Sequence, residues 1–312
     1  MRVLVTGGVG FVGSNLIEKL HKQGYEVISV DNYSTGKKEN EHSFCEYHNV
    51  DLQEHPLEYV KMRKPDIIYH LAAKARIVPS IQNPTKSLFN NIDSTINILE
   101  YARLNNVPVV YAGSSSSHGD IYANPYTFTK WNGEELCKLY HNVYDLPIAI
   151  CRFYNVYGPY GTFDGGREKA PAALCRKVAE SKKNNKDSID VWGDGEQTRS
   201  FLYIDECIEG TLRLFESDYS YPINIGSDEQ VSINQMIGII EEISGVKALN
   251  KKYQLDKPKG VRGRSSNNDL IKKVLNWSYQ MSLKDGLTET YKWIESELSK
   301  KGLNFNRFTK SY

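Results

Sequence analysis

Residues 3–13 read VLVTGGVGFVG: an apolar run, Val3 to Val5, leads through Thr6 into glycines at 7, 10 and 13. Such a run is a buried strand, and glycines spaced by three after it specify a tight turn opening a helix. The glycines let the backbone approach a pyrophosphate closely. The N–H groups of the following turn, which includes Phe11, Val12 and Gly13, face that anion with the positive end of the helix dipole. This stretch predicts a dinucleotide site. Asp31, roughly 20 residues beyond the glycines, closes the next apolar run and is placed to accept hydrogen bonds from both ribose hydroxyls. Its charge repels a 2′-phosphate, so NAD is expected rather than NADP, a preference that the nearby Lys37 and Lys38 soften. Asn32 follows it. Asp51 and Leu52 come after a third short strand and flank the adenine, with helix capping as an equal alternative for Asp51.

Outward from that stretch, short apolar runs alternate with longer amphipathic ones. Strands are predicted over 2–6, 26–31, 66–72, 108–112 and 148–154. Helices are predicted over 11–23, 85–105 and 126–144, with a further helix ended by Pro65. A βαβ alternation of this kind implies α/β architecture: a Rossmann-type doubly wound parallel sheet. From Gly158 on the pattern loosens, with glycines, prolines and charges over 158–169 and 256–264. The division expected is a dinucleotide-binding domain with its catalytic pair over 1–157. A smaller C-terminal α/β substrate lobe follows over 158–312, with some segments returning to the first domain. The polar tail over 300–312 is expected to be mobile.

Composition narrows the partners. The 312 residues carry a formal net charge of +1, with 40% hydrophobic and 25% charged residues, as in an ordinary globular protein. Nothing in this balance points to nucleic acid or an anionic membrane, and no apolar run approaches the roughly 18 residues of a membrane span. The strand at residues 2–6 leaves no room for a separate leader, so a cytoplasmic protein is expected. Cys45, Cys137, Cys151, Cys175 and Cys207 are widely spaced without a CxxC, which predicts free thiols and no metal site.

Tyr126 and Lys130 form a YxxxK pair within a predicted helix, where residues four apart share a face. The ammonium is expected beside the phenol, lowering its pKa toward neutrality and making it a general base. Just before it, residues 113–119 read GSSSSHG, and a hydroxyl at the end of that strand is placed to bond the same substrate oxygen.

With TGGVGFVG, DNYSTGKKEN, HLAAKARIVPSIQNP, the serine run, PYTFTK, RFYNVYGP and a closing LNW, nearly the whole chain resembles the extended short-chain dehydrogenase/reductases that epimerise or dehydrate nucleotide sugars. That resemblance implies a catalytic triad of Ser114, Tyr126 and Lys130. It implies a cofactor wall from Leu71, Ala72, Ala73 and Lys74, with Asn91 holding the strand near the nicotinamide. It also implies Asn155 at the sugar diphosphate, and a homodimer through the helices over 85–105 and 126–144. The chemistry expected is oxidation at C4, alteration of the 4-keto sugar and re-reduction, with NAD retained.

Three reactions on the sugar compete. In the family's dehydratases a carboxylate follows the catalytic Ser/Thr, whereas here Ser115 and Ser116 follow Ser114. A UDP-glucose/UDP-galactose-type 4-epimerase needs only Tyr126 and Ser114. The second half, with GGREKAP over 165–171, WGDGEQTRSFLYIDEC over 192–207 and GVRGR over 260–264, most resembles the GDP-mannose 3,5-epimerases. That resemblance makes Lys169 an acid–base group and Arg199 and Arg264 the diphosphate-binding pair, for which the guanidinium fork is suited. Ser116 stands where those enzymes carry an acid–base cysteine, and its hydroxyl is a far weaker acid than a thiol. His118 is near enough in sequence to assist it. Only six residues separate Gly119 from Tyr126, a shorter loop than usual for the family.

Overall fold

In the computed structural model of the chain, which describes residues 1–166, 168–256 and 263–301, the first apolar run is strand β1 (Arg2–Thr6), buried from Val3 on. Helix α1 (Phe11–Lys22), strands β2 (Glu26–Asp31), β3 (Glu46–Asn49) and β4 (Ile67–His70), and helices α2 (Ile77–Gln82) and α3 (Pro84–Asn105) follow. Then come β5 (Val109–Ser114), α4 (Pro125–Tyr144), β6 (Ile148–Phe153), β7 (Val156–Tyr157), α5 (Ala170–Lys183), β8 (Ser188–Trp192), β9 (Thr198–Ser200) and β10 (Leu202–Tyr203). The chain continues with α6 (Ile204–Phe215), β11 (Pro222–Ile225), β12 (Gln230–Ser232), α7 (Ile233–Ser244), β13 (Asn250–Gln254), β14 (Gly263–Arg264), α8 (Asp269–Leu275) and α9 (Leu283–Lys301). Arg167, residues 257–262 and the tail beyond Lys301, on which parts of the GGREKAP, GVRGR and tail readings fall, lie outside the described residues.

The chain divides into two units. The first comprises Met1–Phe153, Ile208–Ile225 and Asp269–Trp277. It holds a seven-stranded sheet in the order β11-β6-β5-β4-β1-β2-β3, parallel throughout. Strand order departs in both directions from β1, which pairs with β2 on one side and β4 on the other. The loops leaving β1 and β4 therefore diverge and open a crevice at the carboxyl ends of the strands, where ligands of such sheets bind. The core is the apolar lining of the sheet: Leu4, Ile28, Ile68, Val109 and Ile150 pack with Ile98, Leu99 and Cys137 from the helices.

Local chemistry sets the two long helices. Asn83 caps α3 by accepting from the Lys86 N–H at 3.2 Å, and Asn124 caps α4 by accepting from the Thr127 N–H at 2.9 Å. Each cap precedes a proline that needs no N–H partner in the first turn. Asn106 and Asp145 end them in the left-handed conformation. One predicted element is corrected. In place of a helix before Pro65 there is a single 3-10 turn, Leu57–Tyr59, bounded by Pro56 and followed by irregular chain. Pro56 and Pro65 flank a short, charged segment in which only Leu57 and Pro65 are buried, too little to hold a longer helix.

The second unit comprises the described residues of Tyr154–Cys207, Gly226–Asn268 and Ser278–Tyr312. It carries three small sheets, β7 with β10, β8 with β13, and β9 between β12 and β14. Helices α5, α7 and α9 pack against one another. The chain thus leaves the first unit after Phe153 and returns to it twice. Among the described residues no helix is long and apolar enough to cross a membrane, and no cluster of three or more His, Cys, Asp or Glu is placed to hold a metal ion.

Candidate active site

The crevice between β1 and β4 is a cleft of about 550 Å³ lined by Gly7, Gly10, Asp31, Asn32, Asp51, Leu52, Leu71, Ala72 and Ala73. Gly7 has a φ of +74°, and a Cβ there would lie 2.9 Å from the Ala72 nitrogen. A Cβ on Gly13 would lie 2.2 Å from the Gly7 carbonyl oxygen. Only glycine allows the β1 turn to close both onto the β4 loop and onto α1. Phe11, Val12 and Gly13 form the first turn of α1, which has no side-chain cap and no acidic residue. Its N–H groups stay available to an anion.

Asp31 is held from both sides. One carboxylate oxygen accepts from the Val9 N–H at 3.2 Å and the other from the Tyr33 N–H at 2.8 Å. Burial raises its pKa above the usual carboxylate range, opposed by these N–H groups and by the charge of Lys74. Asn32 donates to Asp51 at 2.8 Å, and the other Asp51 oxygen accepts from the Gln53 N–H at 3.0 Å. Asp51 therefore lines the cleft and ties down its own turn at once.

The lining also includes Ser34, Thr35, Gly36, Asn90 and Ser94, which sequence reasoning missed. Asn90 and Ser94 are one turn apart on α3, a polar pair at helical spacing on a buried face, and that spacing was the available signal. The Ser94 hydroxyl is buried without a hydrogen-bond partner in the protein. An orphaned hydroxyl, a glycine cradle that any Cβ would fill and a fixed carboxylate together fit a dinucleotide.

Ser114 closes β5 and caps the 3-10 turn Ser115–His118. Its Oγ lies 3.0 Å from the Ser116 Oγ and 3.3 Å from the Ser116 N–H. Tyr126 is half-buried in the first turn of α4, and its N–H donates to the Ser80 hydroxyl at 3.2 Å. Burial pushes the phenol pKa above its ordinary value, while a hydrogen bond with Ser114 and the charge of Arg76 pull it down. Arg76, at the head of α2, has a φ of 134° and was not foreseen. The six-residue loop before Tyr126 is a turn closed by Asp120, whose carboxylate accepts from the Tyr122 N–H at 2.9 Å.

Lys130 departs from expectation. Its Nζ donates to the Ala112 carbonyl at 2.7 Å and lies 5.1 Å from the Tyr111 ring centre, so a strand carbonyl and an aromatic face hold the ammonium. The groups that lower the phenol pKa are the Ser114 hydroxyl and the charge of Arg76, not Lys130. Burial lowers the Lys130 pKa to about 8, and Glu134, one turn further along α4, holds it up. Asn91 links the two sides of this region: its Oδ1 accepts from the Lys74 N–H at 2.7 Å and its Nδ2 donates to Thr129 at 2.9 Å. His118, expected near Ser116, instead places Nε2 2.8 Å from Asn224 Oδ1 and 3.1 Å from Arg152 Nη1.

In the second unit, Asn155 takes a φ of 42° and donates to the Ser200 carbonyl at 3.0 Å. Lys169 is the residue before α5, with Nζ 3.5 Å from the Val156 carbonyl. Its neighbour Glu168 pairs with Arg176 at 3.2 Å, and Arg176 also donates to the Phe163 carbonyl at 2.8 Å, which pins the loop to α5. Arg199 and Arg264 are register partners across β9 and β14. Burial first, and the Arg264 charge second, lower the Arg199 pKa. Two guanidinium groups on adjacent strands repel each other and favour an anion between them.

Residues 3–226 match the model of the NAD dependent epimerase/dehydratase family. The chain is 40% identical over 325 residues to GDP-mannose 3,5-epimerase 1 of Oryza sativa subsp. indica, covering 96% of this chain and 83% of that protein. Among solved structures it is similar to the UDP-glucose 4-epimerase of Thermotoga maritima with UDP-glucose. That likeness has a TM-score of 0.86 at 27% identity over 96% of this chain and 100% of that one. It is also similar to the UDP-glucuronic acid 4-epimerase of Bacillus cereus, solved with UDP-glucuronic acid and NAD. There the TM-score is 0.80 at 30% identity over 95% of this chain and 100% of that one.

Proposed function

The chain belongs to the NAD-dependent epimerase/dehydratase family, and from that premise we propose that it epimerises a GDP-mannose-like sugar at C3 and C5 through a transient 4-keto sugar. The observation that carries this reading is the match, along nearly the whole chain, to a GDP-mannose 3,5-epimerase. Gly7, Gly10, Asp31, Asn32, Asp51, Leu52 and the stretch Leu71–Lys74 hold NAD, with Asn90 and Ser94 from α3. Bound NAD supplies the acceptor for the C4 hydride and its later donor.

The residues of the chain handle the protons. Tyr126 takes the proton of the C4 hydroxyl, Ser114 holds the same oxygen, and Lys130, bonded to the Ala112 carbonyl, ties α4 to β5. Once C4 is a ketone, the hydrogens on C3 and C5 are acidic, and inversion requires removing a proton from one face and returning one to the other. Lys169 is one of the groups for that exchange. Asn155, Arg199 and Arg264 take the diphosphate. We further place a homodimer interface on α3 and α4, which leave Phe89, Ile96, Leu104, Leu139 and Val143 exposed.

A second reading, a UDP-hexose 4-epimerase, is favoured by the hydrogen bond between Ser116 and Ser114, which occupies the hydroxyl that a second exchange at C3 or C5 would call on. Incubating the enzyme with GDP-mannose, UDP-glucose and UDP-galactose in D₂O, with mass spectrometry of the recovered sugars, separates the two. Exchange at C3 and C5 adds mass to GDP-mannose. A 4-epimerase returns the original hydride and changes a UDP-sugar in configuration alone. A GDP-sugar recovered without added mass removes the 3,5 reading.

A further inference from the structure

His70 ends β4 beside Thr6, its register partner on β1, and both side chains are buried. Thr95 Oγ1 lies 2.7 Å from the Asn91 carbonyl oxygen, a separation that two oxygens hold only with a hydrogen between them. A carbonyl only accepts, so the Thr95 proton is committed there. His70 Nε2, 3.2 Å from the same Thr95 oxygen, is therefore the donor and carries a hydrogen. Nδ1 of the neutral ring is then bare. It lies 2.8 Å from Thr6 Oγ1 and accepts the Thr6 proton. Thr6 in turn accepts from the Ala72 N–H at 3.1 Å. The opposite tautomer, or the charged ring, puts a hydrogen on Nδ1 and leaves the proton of the buried Thr6 hydroxyl facing two N–H groups.

We propose that His70 is a positioning residue for the NAD cleft: as the neutral Nε2–H tautomer it ties the Thr6 hydroxyl to α3, and the Thr6 oxygen holds the Ala72 N–H beside the glycine turn. This rests on the reading above in which the cleft takes NAD, and on nothing about the sugar. One imidazole thereby joins three walls of the cleft. Thr6 leads into Gly7, Ala72 lines the cleft where the chain leaves β4, and Thr95 follows Ser94, which lines it from α3. A Cβ on Gly7 would lie 2.9 Å from the Ala72 nitrogen, so a shift of Ala72 is felt directly by the turn. Asn91, whose carbonyl closes the chain of bonds, also holds the Lys74 N–H and Thr129 through its side chain. Burial keeps the ring neutral by lowering its pKa to about 3, and the charge of Lys130 acts the same way. The Tyr111 ring, centred 6.0 Å away, is itself kept neutral by burial.

The test uses the full-length enzyme with nitrogen-15 in its seven histidines. The His70 ring signals are assigned by their loss in His70→Asn. Expected are a protonated Nε2 and an unprotonated Nδ1, unchanged from about pH 8 to about pH 5. A protonated Nδ1, or a ring that titrates in that range, overturns the proposal. Calorimetry then reads NAD affinity. His70→Phe keeps a planar ring but loses both bonds, and its Kd for NAD should rise about tenfold, the scale of one hydrogen bond. His70→Asn places a carboxamide oxygen where Nδ1 stood, keeps the Thr6 bond and should bind NAD within about threefold of wild type. A His70→Phe protein that melts at lower temperature but binds NAD as wild type does makes His70 an ordinary core residue, and overturns the proposal. Should His70→Phe not fold, Thr6→Val removes the acceptor of the Ala72 N–H instead and should raise the Kd by the same factor. Wild-type affinity in Thr6→Val overturns the proposal equally. Neither measurement needs a sugar, so a substrate panel without turnover would sink the proposed reaction while leaving both results standing. A wild type without NAD affinity would overturn the cofactor reading and this proposal together.

Discussion

Arg152 and Glu134 meet in the interior of the first unit: Arg152 Nη2 lies 2.5 Å and Nε 2.9 Å from the same oxygen of Glu134, whose side chain is fully buried. The pair joins α4 to β6. A Cβ on Gly113 would lie 2.8 Å from the carboxylate, so the strand that ends in Ser114 passes directly over it. Glu134 is also the main group that holds up the charge on Lys130 against burial. The catalytic helix is thus held by an ion pair whose negative member serves two cations.

Replacing Glu134 with Gln leaves a guanidinium without its counter-charge, and a loss of about 3 kcal/mol in unfolding free energy is expected from urea denaturation. The pH profile moves as well. The ammonium of Lys130 is charged below its pKa of about 8, so activity that depends on that charge falls on the alkaline side. In E134Q this limb shifts to lower pH, measured as kcat/KM against pH. An unmoved limb would assign it to another group.

Tyr126→Phe removes the proton acceptor and little else, since the backbone bond to Ser80 is untouched. Turnover should fall about a thousandfold. NAD affinity, measured by calorimetry, should change little.

His70 is buried between two hydroxyls, with Nδ1 2.8 Å from Thr6 Oγ1 and Nε2 3.2 Å from Thr95 Oγ1. Burial lowers its pKa to about 3 from 6.5. The unfolded chain binds a proton below about 6.5 and the folded one does not. Its stabilising contribution is therefore complete above that pH and is lost as the pH falls toward 3. Between pH 7 and about pH 4.5, wild type should lose about 3 kcal/mol more than H70Q in urea unfolding. Equal slopes for the two proteins would contradict the buried neutral imidazole.

Asp31→Asn keeps the shape of the side chain and removes its charge. NAD affinity should fall about tenfold or more, because a charge-assisted pair of hydrogen bonds to the ribose is weakened. NADP should lose less or gain, and competitive titration of the two cofactors reads the ratio. A ratio unchanged from wild type would place the discrimination elsewhere.

Arg199→Met and Arg264→Met each remove one of two like charges on adjacent strands. The KM for the nucleotide sugar should rise about 10- to 100-fold with a smaller change in kcat. Thermal stability without ligand should hold or rise, since a repulsion has been removed. A drop in stability with an unchanged KM would make the pair structural.

Much of this protein is legible along the chain. The order of β1, turn and α1, the parallel sheet, the acid at Asp31 and the Tyr126–Lys130 spacing all follow from local rules: apolar period, glycines where no Cβ fits, and residues one helical turn apart. Asn90 and Ser94 carried the same kind of signal and were overlooked. Family resemblance along the sequence also reached the class of reaction. What the folded chain alone decided is which polar group each side chain meets. Lys130 ends on the Ala112 carbonyl, Glu134 on Arg152, and His118 on Asn224 and Arg152. The segment before Pro65 stays irregular for want of a buried face. These outcomes depend on partners distant in sequence and on burial, which sets both the cost of an unpaired polar group and the direction of every pKa shift. Residue spacing encodes neither until the strands are paired and the helices packed.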